Sequence, residues 1–147
     1  VLIIGLALIW FLISGIIPLM FSIPAPSLMS ILTLLYTLYP VAVSEEFVFR
    51  GFMLSRLLPR TEHIDLVTAL PAVVIDALYF AMAHVPVYMA VYGIGGLVQL
   101  IYTIGLIFVY GIISGVIFVS TRNVVPDIII HWINDYLAIM AMIYLMH

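Results

Sequence analysis

Ser44-Glu45-Glu46-Phe47-Val48-Phe49-Arg50-Gly51 places two carboxylates and a guanidinium inside sequence that otherwise reads as membrane-spanning helix. A charged side chain near the bilayer centre costs about 2.5–3.5 kcal/mol on insertion scales, so three in one span point to a built interior site. On a helix Glu46 and Arg50 share a face with the acid N-terminal to the base, which predicts an ion pair. Glu45 is rotated by about 100° and has no local partner. Glu46 therefore reads as structural, and Glu45 as a carboxylate available for general-base work.

The surrounding composition sets the class. Of 147 residues, 67% are hydrophobic and 7% charged, whereas a soluble domain carries about 25% charged residues. This predicts an all-α integral membrane protein, a polytopic helix bundle with the lipid bilayer as its surroundings. The net charge of −3 and the absence of Lys argue against a nucleic-acid partner. With no cysteine there is no disulfide, no thiolate ligand and no cysteine nucleophile. The chain starts at Val1 with no basic region or cleavage pattern ahead of it, which reads as an excised segment of a longer chain.

About five spans are expected within one membrane-embedded domain covering residues 1–147. They are Val1–Phe21, Leu28 to about Leu58 with a kink at Pro40, Leu66 to about Tyr92, Leu97–Val119 and Val125–Met146. Pro24 and Pro26 mark the first turn, with Ser27 as an N-cap. Pro71 is expected to split off a short interfacial helix around residues 60–70, so that the span proper starts later and His84 reaches the depth of Glu45. His63 reads as a solvated loop residue. Gly111 and Gly115 have the small-xxx-small spacing of tight helix contact. Arg56, Arg60 and Arg122 fall in loops 56–65 and 120–123, which the positive-inside rule makes cytoplasmic.

With the loops removed, Glu45, Glu46, Arg50, Asp76, His84, His131 and Asp135 remain in three spans, and each needs a polar neighbour or a wet cavity. A polar catalytic cavity between three helices is the expected arrangement. His131 and Asp135 are four apart, as are Phe80 and His84, so each pair shares a face. Asp76 either lines the same cavity or pairs with Arg50, and Asp127 reads as a cap of the last helix. No HExxH string is present, but Glu45, His84 and His131 make up a three-ligand set of the kind catalytic zinc accepts. Without metal, Glu45 takes a proton from water held by His84, and His131 with Asp135 stabilises the oxyanion. Ser44 lacks a nucleophile-elbow context. A proton-coupled carrier is disfavoured by the few spans and the absence of an inverted repeat.

Glu45-Glu46-x-x-x-Arg50, Phe80-x-x-x-His84 and His131-x-x-x-Asp135, in that order, resemble the EExxxR, FxxxH and HxxxN or HxxxD signatures of one family. It is the CAAX prenyl endopeptidase and bacteriocin-processing (CPBP, or Abi) family of intramembrane proteases. The likeness covers a core of residues 28–143 and leaves 1–21 as a flanking span. It implies hydrolysis of a peptide bond in a membrane-associated, hydrophobic or prenylated peptide, in a prokaryotic cell membrane. Glu45 and His84 would activate water, His131 and Asp135 would form the oxyanion side, and Glu46, Arg50, Phe80 and Asn134 would support them. No cofactor is implied, although a metalloprotease label attached to the family keeps zinc on Glu45, His84 and His131 as the variant. The alternative is a non-catalytic membrane-binding or bacteriocin-immunity protein of the same family. Asp135 stands where asparagine is common, with Asn134 beside it, and an aspartate donates a hydrogen bond only when protonated.

Overall fold

A computed structural model describes residues 28–60 and 64–145. The expected first span, the turn carrying Pro24, Pro26 and Ser27, and His63 lie outside the described residues. Every regular element that is described is helical: α1 (Leu28–Glu46), a π-helical segment (Phe47–Leu54), the single turn α2 (Ser55–Leu57), α3 (Leu66–Tyr92), a 3-10 turn (Ile94–Gly96), α4 (Leu97–Thr121) and α5 (Val125–Leu145). Two of these stretches, Leu66–Tyr92 and Ile94–Thr121, are long and apolar enough to cross a membrane. The five expected spans are thus not all reached among the described residues.

The helix ends follow local chemistry. Leu58 leaves the helix in extended geometry, φ −61° and ψ 141°, as the residue before Pro59 must, because the proline ring disfavours α backbone there. Asp65 caps α3 by accepting from the Thr68 backbone N–H at 2.7 Å and from the Thr68 hydroxyl at 2.8 Å. Gly93, at φ +63°, closes α3 with its N–H on the Met89 carbonyl, a conformation only glycine adopts without strain. Arg122 ends α4 in the left-handed region at φ 53°. At the start of α5 the Asn123 side chain accepts from the Val125 N–H at 2.9 Å. Asp127 is fully buried in the first turn of the same helix.

The expected break at Pro71 is a correction. Residues 66–92 form one helix with Pro71 and Pro86 inside it, so no separate interfacial helix exists at 66–70. Pro71 removes one N–H, the donor to Val67, near the start of the helix, and the Asp65–Thr68 cap holds that first turn in place.

The described residues fall into two compact units, one of residues up to Phe47 with those from Asn123, the other from Val48 to Arg122. In the first, α1 packs on α5. In the second, α3 and α4 form an antiparallel hairpin held at two glycines. A Cβ on Gly111 would lie 2.9 Å from the Ala77 Cβ, and one on Gly115 would lie 2.7 Å from a Val73 methyl. That register brings Arg122 level with the start of α3.

The Asp65 cap gives a pH prediction. Its hydrogen bonds from Thr68, the backbone bond first, hold the carboxyl below its ordinary value of 3.8. The stabilisation is present above that value and is lost as pH falls through the lowered one. Thermal melts in detergent should show wild type losing stability towards pH 3, and Asp65→Asn, which keeps an acceptor without a titration, losing less over the same window.

Candidate active site

In the α1–α5 unit the polar centre is His131, 3% exposed. Its Nδ1 lies 2.8 Å from the Glu46 carboxylate, which is fully buried. Its Nε2 lies 3.8 Å from Glu45 and 3.5 Å from Asp135, each with a side chain 28% exposed. A carboxylate can only accept, so Glu46 takes the Nδ1–H and fixes which ring nitrogen faces the other two acids. Nε2 is then beside two further acceptors. Glu46 is thus buried and held by His131, while Glu45 reaches partial exposure.

Beside this group, Trp132 donates its indole N–H to the Leu35 carbonyl at 3.1 Å and meets Tyr39 edge-on at 5.7 Å. Leu32, Leu35, Tyr36, Tyr39, Pro40 and Trp132 line an apolar groove of about 600 Å³. Ser44 is exposed and donates its hydroxyl to the Val41 carbonyl at 2.9 Å.

In the second unit the centre is Arg50, which has no solvent exposure. Its Nε is 3.6 Å from the equally buried Asp76, and its Nη2 donates to the Gly111 carbonyl at 3.4 Å. The guanidinium lies 4.3 Å from the Phe80 ring centroid and 5.9 Å from that of Tyr110. Of the two options left open for Asp76, pairing with Arg50 is the one observed. Phe80, 1% exposed, also receives Phe49 edge-on at 5.0 Å. Its carbonyl accepts from His84 Nδ1 at 2.8 Å.

The spacing of Phe80-x-x-x-His84 thus has a physical reading. One residue supplies an aromatic cover for a buried cation and the carbonyl that fixes the imidazole one turn later. Because that carbonyl only accepts, neutral His84 carries its lone pair on Nε2.

Glu45, Glu46, His131 and Asp135 are brought together by α1 and α5, with Asn134 half-buried on α5. Arg50, Asp76, Phe80 and His84 are brought together by the hairpin and the π segment. Tyr110 and the Gly111 carbonyl were missed. The Gly111-x-x-x-Gly115 signal found the close approach of helices, but nothing in it names a carbonyl that faces a guanidinium. Among the described residues no group of three or more His, Cys, Asp or Glu side chains has the geometry to hold a metal ion.

Long apolar helices that carry buried ionisable groups point to a helical membrane protein. Residues 26–137 match the Rce1-like family, type II CAAX prenyl endopeptidases, and the chain belongs to it. That is a family of proteases. No curated protein and no solved structure matches the chain significantly.

Proposed function

We propose that the protein is a membrane-embedded endopeptidase that cleaves a hydrophobic or prenylated peptide with water activated by Glu45, without a metal. The observation that carries the reading is His131, held by Glu46 at 2.8 Å with Glu45 and Asp135 on its other nitrogen. Glu45 takes a proton from water as the hydroxide adds to the carbonyl carbon. The oxyanion accepts from the proton held between His131 Nε2 and Asp135. As the tetrahedral species collapses, the C–N bond breaks and the leaving amine takes the proton from Glu45. A protonated His131–Asp135 pair supplies the donor that asparagine would otherwise give. His84 shares in holding the water, a role that rests on the family's motif order and on its fixed tautomer. The groove beside Trp132 suits an apolar part of the substrate.

The test is cleavage of a lipidated reporter peptide by the purified chain in proteoliposomes, with and without chelator. Activity is expected to persist in chelator and to be lost in His84→Ala and His131→Ala. Activity abolished by chelator and restored by zinc overturns the metal-free reading. A cellular function that survives Glu45→Gln identifies the non-catalytic alternative.

The same proposal sets the arginine-bearing loops in the cytoplasm of a prokaryotic cell. Because the chain has no cysteine, single cysteines report topology without interference. Ser120→Cys should be shielded from a membrane-impermeant maleimide in intact cells, and Gly95→Cys should be labelled. The reverse pattern inverts the orientation.

A further inference from the structure

On α3 every fourth residue from Phe80 onward carries a ring: Phe80, His84, Tyr88 and Tyr92. Successive rings touch. Phe80 and His84 have centroids 4.8 Å apart, His84 and Tyr88 stack at 6.4 Å and 24°, and Tyr88 and Tyr92 stack at 5.9 Å and 19°. A tyrosine near a helix end in a membrane protein is ordinarily an interfacial anchor with its hydroxyl in water. Tyr92 differs. Its hydroxyl is 3.1 Å from the Thr103 hydroxyl on α4. Its Cβ sits where a Cβ on Gly96 would be 2.7 Å away, so only glycine at 96 admits it.

The stack is therefore anchored at its far end by a second helix and leads ring by ring to an imidazole whose Nδ1 is already on the Phe80 carbonyl. Turning the imidazole over about its Cβ–Cγ bond, a broad torsion, would put Cδ2 where Nδ1 meets the Phe80 carbonyl, break that bond and release the tautomer it fixes. A ring stacked on its face restricts the turn.

We propose that Tyr88, braced by Tyr92 and Thr103, is a positioning residue that keeps the His84 imidazole in one orientation with Nε2 presented. The proposal deepens the reading of His84 as a residue that holds the attacking water, and rests on it for its catalytic consequence.

The experiment is nitrogen-15 NMR of the histidine-labelled chain in detergent micelles, with the His84 signals assigned by their loss in His84→Gln. Wild type should show neutral His84 as a single Nδ1–H tautomer. Tyr88→Leu, which keeps apolar bulk without a stacking ring, should show a mixture. Tyr88→Phe should restore the single form, and Tyr92→Phe, which loses the Thr103 contact, should fall between them. In parallel, kcat should drop roughly tenfold to a hundredfold in Tyr88→Leu with KM within about twofold. A single Nδ1–H tautomer retained in Tyr88→Leu overturns the proposal whatever happens to kcat. Wild-type activity in His84→Ala defeats the catalytic reading of His84 separately.

Discussion

Glu45→Gln is expected to lower kcat for reporter-peptide cleavage by roughly 10²- to 10⁴-fold while leaving KM and the fold in place. Glutamine has the shape of glutamate but cannot accept the proton that water must lose. The side chain is 28% exposed and glutamine matches its volume, so the exchange empties no packed space. Glu46→Gln is the informative contrast. Glu46 is fully buried and 2.8 Å from His131 Nδ1. An amide there presents either an acceptor or a donor to the ring, and the donor orientation imposes the wrong tautomer. In a serine protease the comparable change costs about 10⁴ in kcat with geometry intact. Glu46→Gln should therefore lose both stability and kcat, whereas Glu45→Gln loses kcat alone. The pair is read by unfolding in detergent alongside single-turnover cleavage. Wild-type turnover by Glu45→Gln, with its fold intact, would sink the proposed mechanism.

Much of this arrangement was legible in the sequence because membrane helices announce themselves by apolar length and their ends by turn chemistry. Tyr92 with Gly93, Leu97 after the glycine break, and Val125 after Asn123 are all boundaries that local residues dictate. Buried ionisable residues were legible for a related reason: a charge in a span must be accommodated, so its presence already implies a site. What stayed hidden was long-range or cooperative. Glu46 and His131 are 85 residues apart, and nothing at either position names the other. The turn to π-helix at Phe47, where hydrogen bonds run i→i+5 and the facing of later residues changes, was hidden as well. Phe-Val-Phe-Arg-Gly-Phe-Met-Leu carries no local signature of such a turn. Pro71 misled in the opposite direction. A proline is a strong breaker in the middle of a helix, but so near the start it forfeits one bond beside a well-made cap.

The buried arginine leads to the largest expected change in stability. Asp76→Ala should destabilise the folded protein by about 3–5 kcal/mol, the usual cost of removing one partner from a buried ion pair. Both side chains are at zero exposure and 3.6 Å apart. The guanidinium also lies against the Phe80 and Tyr110 rings and bonds the Gly111 carbonyl, so it cannot move to water without opening the hairpin. The loss comes from a cation deprived of an anion at low dielectric, not from the small volume removed. Asp76→Asn should therefore cost nearly as much despite filling the space. Replacing the pair by apolar residues, Arg50→Met with Asp76→Leu, should recover a large part of the loss, since neither charge is then left buried. Unfolding in a mixed-micelle denaturant titration measures all three. If Asp76→Ala and the double variant prove equally unstable, the cost lies in packing and not in charge. The ion pair would then not be what holds Arg50 beneath Phe80.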